Sequence, residues 1–288
     1  MSDPLLPPEL ERLIFIHAFR NRVKEPTNLF LVSKRVREWL LPVAFEVVIV
    51  RRRRNFPILF SNYDQFVEYG SHIRHLMIQI KSWPDNKNID LDHSLRLCPN
   101  ITNLSLLWMS PPLQPKTLSN LSNLTHLTLE VGYLFNLVTS TSYALHPSLF
   151  PNITHLDAVG TPVDHIENRI AGLGRHLPNL THISFLHLEP GVDLLKSLLR
   201  NCRKLKALVW WKEGQLGMDE SRPPAVDDER IITMSMPSQS SKRWEDRATG
   251  KGMGMWEFAD EVLKERAARK RRAVCRSLQD GEDEGRNN

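Results

Sequence analysis

A short apolar pattern recurs along this chain and constrains its architecture more than any single residue does. In each copy an apolar residue is followed by two variable positions, a second apolar residue, one variable position and a third apolar residue. The six copies are Ile73-Leu76-Ile78, Ile101-Leu104-Leu106, Leu124-Leu127-Leu129, Ile153-Leu156-Ala158, Leu180-Ile183-Phe185 and Leu205-Leu208-Trp210. Their starts are 28, 23, 29, 27 and 25 residues apart. Such a period predicts a stack of similar units, because one unit cannot bury its apolar face alone.

The pattern predicts one β-strand in every copy. Side chains alternate along a strand, so the second and third apolar residues point the same way and form the core. The spacing is that of leucine-rich repeats, at roughly 20 to 29 residues. We therefore expect an α/β fold: an irregular leucine-rich-repeat solenoid with parallel strands, in which some crossovers, such as Val192 to Asn201, are helical. The alternative is a series of amphipathic helix fragments with the same spacing.

Different patterns flank the repeats and divide the chain into three predicted parts. Residues 1–43 contain two helices, the second beginning after the turn at residues 25–28 and ending at Pro42. Residues 44–235 hold the repeats, preceded by a strand over residues 44–50 and followed by a seventh strand at residues 231–234. Residues 236–288 contain an amphipathic helix from Trp256, which we expect to cap the last repeat, and a disordered basic and acidic tail.

The N-terminal residues resemble a known module. Leu6-Pro7-Pro8-Glu9-Leu10, Ile14-Phe15 and Leu31-Val32-Ser33-Lys34-Arg35 leading to Trp39 resemble the F-box, and the N-terminal half is similar to fungal F-box-like proteins with degenerate leucine-rich repeats. An F-box binds the adaptor subunit of a cullin–RING ubiquitin ligase, while the attached repeats hold the protein to be ubiquitinated. The resemblance implies adaptor contact through Leu6, Pro7, Leu10, Ile14, Phe15, Leu31, Val32 and Trp39.

The alternative is that the two N-terminal helices only cap the open edge of the repeats. The protein would then be a stand-alone scaffold that binds a protein partner without any connection to ubiquitin.

The position before the second apolar residue of each copy is rich in histidine. It is occupied in order by His75, Asn103, His126, His155, His182 and Ala207, and the next position on the same face by Met77, Ser105, Thr128, Asp157, Ser184 and Val209. We expect the polar members of both rows, with Met77 and Trp211, to form an exposed partner-binding face, and Trp210 to be buried. The alternatives are solvated polar positions, a metal site that includes Asp157, and partner binding that depends on pH.

Composition and motifs narrow the class of protein. The chain has 38 basic and 33 acidic residues, too small an excess to predict nucleic-acid binding. Short basic runs at residues 51–54 and 269–272 are typical of solvated segments, and the second run is also compatible with nuclear localisation. No catalytic or nucleotide-binding motif is found, so we expect neither an enzyme nor a cofactor or metal.

The cysteines and the apolar stretches predict the compartment. Cys98, Cys202 and Cys275 are widely spaced, which indicates no disulfide framework, and the first two occupy one repeat position that is apolar elsewhere. The longest near-apolar stretch, residues 40–50, is too short to span a membrane, which takes about 20 residues. We expect an intracellular protein of the cytoplasm or nucleus.

Overall fold

The structure is a computed structural model that describes residues 6–21, 26–51, 63–79, 91–107, 115–130, 150–160, 174, 177–186, 191–212, 226–235 and 240–284. The chain divides into two compact units, Met1–Thr125 and His126–Asn288, called here the first and the second unit. Of the basic run at residues 51–54, only Arg51 is among the described residues.

The first unit begins with helices and continues with alternating strands and helices. Its elements are α1 (Pro8–Arg20), a 3-10 helix (Pro26–Leu31), α2 (Lys34–Ala44), β1 (Val47–Val50), α3 (Tyr63–Gly70), β2 (His75–Gln79), α4 (Leu91–Arg96), β3 (Asn103–Leu107) and α5 (Pro115–Ser119). Strand β2 pairs in parallel with β1 and with β3, with Val47 opposite His75 and His75 opposite Asn103.

The second unit contains five parallel strands, each paired with the next in chain order. Its elements are β4 (His126–Glu130), β5 (His155–Val159), β6 (His182–Leu186), α6 (Val192–Asn201), β7 (Ala207–Lys212), β8 (Ile231–Ser235), α7 (Ser240–Ala248) and α8 (Met255–Glu284). The expectation of an α/β fold with parallel strands is confirmed, and every copy of the apolar pattern holds one strand.

Two boundaries at the N-terminal helices differ from the prediction. Helix α2 continues past Pro42 to Ala44, because a proline removes only its own N–H and the amide of Phe45 still donates to the carbonyl of Leu41. The following strand is shortened to Val47–Val50. Helix α2 also begins later than expected, since Ser33 caps it by accepting a hydrogen bond from the amide of Val36 at 3.2 Å.

The apolar pattern forms the cores of the two units. In all six copies the first and second apolar residues are buried, and the third is buried in every copy except the last, where Trp210 is half-buried. Several residues on the opposite side of the strands, among them Met77, Ser105 and Val209, are buried as well. Burial on both faces is typical of parallel strands.

Two polar residues that flank the first apolar residue link three of the copies, those that start at Ile101, Leu124 and Leu180, to the copy before them. The asparagine before the first apolar residue donates its side-chain amide to a backbone carbonyl of the preceding copy: Asn100 to Ser71 (2.7 Å), Asn123 to Pro99 (3.1 Å) and Asn179 to Pro151 (2.6 Å). The threonine after it does the same with its hydroxyl: Thr102 to Arg74 (3.1 Å), Thr125 to Thr102 (3.1 Å) and Thr181 to Thr154 (3.0 Å). The recurrence of asparagine and threonine is therefore structural.

Candidate partner-binding surfaces

The residues predicted to contact an adaptor are accessible in the structure. None of the eight is buried: Phe15 and Trp39 are half-buried, and the other six are exposed. The large apolar residues Leu6, Leu10, Leu13, Ile14, Leu31 and Val32, called here the N-terminal apolar surface, leave 45 to 83% of their area exposed. Leu10, Leu13 and Ile14 share one side of α1, because helical residues three and four apart are neighbours.

The other side of this helical region is held by aromatic and charged contacts. The rings of Phe19 and Phe30 meet edge to face, 5.7 Å apart, and join α1 to the 3-10 helix. Arg35 forms an ion pair with Glu11 and lies 5.0 Å from the ring centre of Trp39. Arg35 therefore ties α1 to α2 while the leucines of α1 remain accessible.

Helix α2 provides the connection to the strands of the first unit. Its residues Val36 and Leu40 are buried, whereas no residue of α1 is. The ring of Phe45, just after α2, stacks on Tyr69 of α3 at 4.3 Å. The carboxylate of Glu46 pairs with Arg20 at 3.4 Å. The fully buried residues of this region thus belong to α2, whereas Leu10, Leu13 and Ile14 of α1 remain exposed.

The predicted histidine row exists as a stack of rings in the second unit. Strand pairing places His126 opposite His155 and His155 opposite His182. The ring centres are 4.1 Å apart in the first pair and 4.4 Å in the second, with planes within 9° and 7° of parallel. We call these three residues the histidine stack. His75 and Asn103 are aligned in the same way on β2 and β3 of the first unit.

The expected exposure of the two rows is wrong for most of their members. The buried ones are Asn103, His182, Met77, Ser105, Thr128, Ser184 and Val209, while His75, His126, His155 and Asp157 are half-buried. In the second unit the reason is helix α8, whose Trp256 lies 5.3 Å from the ring of His155 and 5.5 Å from that of His182. The strand face that we expected to bind partners is covered there by the C-terminal part of the chain.

The same cover reverses the prediction for the two tryptophans. Trp211 is only 7% exposed, and Trp210 is half-buried. Trp211 shares its side of β7 with Ala207 and Val209, because alternate residues of a strand face the same way. These three side chains form one apolar cluster with Ile232 of β8 and with Trp256 and Ala259 of α8.

In the second unit, three polar members of the second row, Thr128, Asp157 and Ser184, form hydrogen bonds with one another. Asp157 accepts one hydrogen bond from the hydroxyl of Thr128 at 3.0 Å and another from that of Ser184 at 2.6 Å. Buried polar groups are tolerated when they are paired in this way. These three side chains can therefore be covered by a helix without leaving their polar groups unpaired, and they can also contact a protein partner.

The surroundings of the stack favour neutral imidazoles. Burial, together with the smaller effects of the charges of His126, His182, Arg247 and Lys206, lowers the pKa of His155 to about 2. Burial also lowers the pKa of His182, against the opposing effects of a hydrogen bond to Asp260 and of the charges of Asp260 and Glu257. The Nε2 atom of His182 lies 3.1 Å from Asp260, so neutral His182 donates to that carboxylate when the hydrogen is on Nε2.

The geometry of the stack does not favour the metal alternative. The nitrogen lone pair of an imidazole lies in the ring plane, and face-to-face rings direct their lone pairs along parallel lines. Among the described residues no group of three histidine, cysteine or acidic side chains is arranged to hold a metal ion. The thiols of Cys98 and Cys202 are buried in the core, and burial raises their pKa to about 12 and about 11.

Helix α8 was predicted from its amphipathic pattern as a cap on the last repeat, but its cover over the histidine stack was not. The helix also continues to Glu284, through residues that were expected to form a disordered tail. Arg266 donates to the carbonyls of Glu229 and Ile231 at 2.6 and 2.8 Å, which fixes the middle of α8 beside β8. Arg271 and Arg272 are exposed. Sequence reasoning missed Arg247, Trp256 and Asp260 as neighbours of the histidines, and the only signal was that Trp256, Ala259 and Leu263 recur at helical spacing.

Comparison with known proteins adds no family assignment. No protein-family model matches the sequence, and no curated protein is significantly similar to it. Among the described residues, no helix combines the length and the apolar character needed to cross a membrane.

Proposed function

We propose that the protein is a substrate-recruiting subunit of a cullin–RING ubiquitin ligase, and that the N-terminal apolar surface binds the ligase adaptor. One observation carries the proposal. Three large apolar residues that align with the F-box pattern leave about half or more of their area exposed: Leu10 (49%), Ile14 (54%) and Leu31 (83%). Leu10 and Ile14 are neighbours on one side of α1, and exposed apolar patches typically mark binding surfaces.

The distribution of burial supports this role for α1. Burying apolar surface stabilises a fold by about 25 cal/mol per Å². A helix that served only as a cap would place its leucines against the strands, yet the buried residues of the helical region are Val36 and Leu40 of α2. The apolar residues of α1 remain available for a groove on a partner, as in other complexes formed by amphipathic helices.

We further propose that the parallel strands of each unit belong to a leucine-rich-repeat solenoid that holds the target protein. The hydrogen bonds from asparagine and threonine to the preceding copy support this architecture, because nearest-neighbour contacts are typical of solenoids. In the second unit the expected target face lies under α8, so target binding there requires α8 to move or uses another surface. The proposed role is recruitment and involves neither catalysis nor a cofactor.

The stand-alone scaffold remains the second candidate, and specific contacts favour it. Phe45 stacks on Tyr69, Glu46 pairs with Arg20, and Leu40 is fully buried, so the helical region does stabilise the start of the first unit. These contacts are sufficient for a cap.

A binding assay with the purified ligase adaptor separates the two candidates. The full chain is compared with the double variant Leu10→Asp, Ile14→Asp and with a control, Val67→Asp, Met253→Asp. The control places the same charges on two apolar residues that are exposed elsewhere, at 57 and 70%. Circular dichroism and thermal unfolding check that each variant is folded.

We expect the wild type and the control to bind the adaptor and the Leu10, Ile14 variant to lose binding without losing its fold. If the folded wild type does not bind the adaptor, or if the Leu10, Ile14 variant binds as well as the control, the ligase proposal is wrong and the scaffold candidate is favoured.

A further inference from the structure

We propose that the histidine stack is a pH-sensitive latch for the C-terminal helices: protonation of His155 in mildly acidic solution weakens the docking of α7 and α8 on strands β5 and β6. This proposal is independent of the adaptor proposal. It concerns the second unit alone and holds for any partner of the covered strand face.

The position of His155 makes it the sensitive member of the stack. Its ring lies between two other imidazoles, 4.1 Å from His126 and 4.4 Å from His182, and the ring of Trp256 closes one side at 5.3 Å. In the docked state a protonated His155 would therefore have little contact with water. It would lie instead against two imidazoles that can carry the same charge. Like charges at such distances disfavour the charged form.

The charged groups around the stack act unequally on its members. His155 faces Arg247 of α7 and Lys206 of the turn before β7, and both disfavour a further positive charge. His182 faces Lys206 too, but also Asp260 and Glu257 of α8, which favour its charged form. Asp157 lies on the same face of β5 as His155, but its two oxygens accept hydrogen bonds from Thr128 and Ser184. The unfavourable charges therefore meet at His155.

The direction of the pH effect follows from proton linkage. The pKa of His155 is about 2 in the docked structure. Release removes the cover of Trp256 and the charge of Arg247 but leaves His126 and His182 beside the ring, so the pKa rises toward the ordinary 6.5 as its upper limit. The released state therefore binds more protons than the docked state below pH 6.5, and acid favours release. Docking is strongest above this pH and weakens progressively below it. At about pH 5 the equilibrium shifts toward release by up to about 30-fold relative to about pH 7.5.

The docked helices also contain buried polar groups that lack hydrogen-bond partners among the described residues, and these groups would gain partners on release. Within the described part of the chain, the buried Nε1 atoms of Trp244 and Trp256 and the buried Nε atom of Arg247 have no hydrogen-bond partner. Water would supply partners on release, which lowers the cost of opening. Release would uncover the stack together with Asp157 and Ser184, the polar rows that the sequence predicts as a partner-binding face.

Hydrogen–deuterium exchange of the full chain tests the latch. Exchange is followed between about pH 7.5 and 5 and corrected for the intrinsic pH dependence of amide exchange, and opening constants are compared for residues 255–263 of α8 and for strands β5 and β6. The variants are His155→Gln and His155→Phe, neither of which can be protonated. His17→Gln removes a histidine of α1 in the first unit and serves as the control.

In the wild type and the His17 control we expect the opening constant of residues 255–263 to rise by more than about threefold and at most about 30-fold on acidification, while β5 and β6 stay protected. In a His155 variant with protected strands the rise should be under about threefold. The phenylalanine variant keeps an aromatic ring in the stack, so it serves as the test if the glutamine variant disrupts the stack. The proposal is overturned if the wild type shows no rise, if the His155 variants rise as much as the control, or if strands and helix open together.

Discussion

The Nε2 atom of His182 lies 3.1 Å from the Oδ1 atom of Asp260, which is 78 residues further along the chain. This contact joins β6 to α8. The carboxylate favours the protonated imidazole, against the larger effect of burial. Replacing it by an amide, Asp260→Asn, removes the charge but keeps a polar side chain of the same shape. We therefore expect the pKa of His182 to fall further in this variant.

Histidine titration by two-dimensional NMR checks this prediction. Glu261→Gln is the matched control, because Glu261 is the next residue of α8 and pairs with Lys264 instead. The titration of His182 should move in Asp260→Asn and stay unchanged in Glu261→Gln. An unchanged or higher midpoint in Asp260→Asn would contradict the assigned role of the carboxylate.

The N-terminal helices should respond very differently to truncation of two apolar residues. Leu40→Ala removes a fully buried side chain of α2 and should lower the free energy of unfolding by about 2 to 5 kcal/mol. Ile14→Ala removes a side chain that is 54% exposed and should change it by less than about 0.5 kcal/mol. Urea unfolding measures both, and a large loss for Ile14→Ala would show that α1 packs more tightly than the structure indicates.

The asparagine between two copies should contribute measurable stability. In Asn123→Ala the carbonyl of Pro99 loses its side-chain donor, and we expect a loss of about 0.5 to 1.5 kcal/mol in thermal or urea unfolding. Asn120→Ala, three residues earlier at the exposed end of α5, is the control and should stay within about 0.5 kcal/mol of the wild type. Equal effects of the two substitutions would refute the structural role of Asn123.

Gly70 is required where two copies approach each other. A β-carbon at this position would overlap the carbonyl oxygen of Leu97, which is backbone and cannot move away. We expect Gly70→Ala to destabilise the first unit by about 1 to 3 kcal/mol. At Gly252 the nearest atom to an added β-carbon is 3.9 Å away, so Gly252→Ala is the control. Comparable melting temperatures for the two variants would argue against this close approach.

The sequence predicts most of the strand positions and their register, because the repeated apolar pattern indicates which residues share a face of each strand. The period aligns His126, His155 and His182, and the strand register confirms that alignment. The N-terminal helices were also predicted, although the effects of Pro42 and Ser33 on α2 were not. A proline near the end of a helix costs one hydrogen bond, which the remaining turn can tolerate.

Exposure could not be predicted in the same way. Alternation shows that Trp210 and Trp211 face opposite sides, but it does not say which side is covered. Which side is covered depends on Trp256 and Ala259 of α8, some 45 residues later. The pattern of α8 predicts an apolar stripe, but it does not predict which strand face the stripe covers. The candidate partner face was therefore located correctly in register and wrongly in accessibility.

The asparagine and threonine bonds have a consequence for how the chain has been able to change. Each donor reaches the corresponding backbone carbonyl of the copy before it, at the same offset in every case observed. None of these bonds involves the connecting segments, whose lengths give spacings of 23 to 29 residues. A connecting segment can therefore change its length without removing either donor, whereas the sixth copy, with Lys204 and Lys206 at the two positions, lacks both donor types.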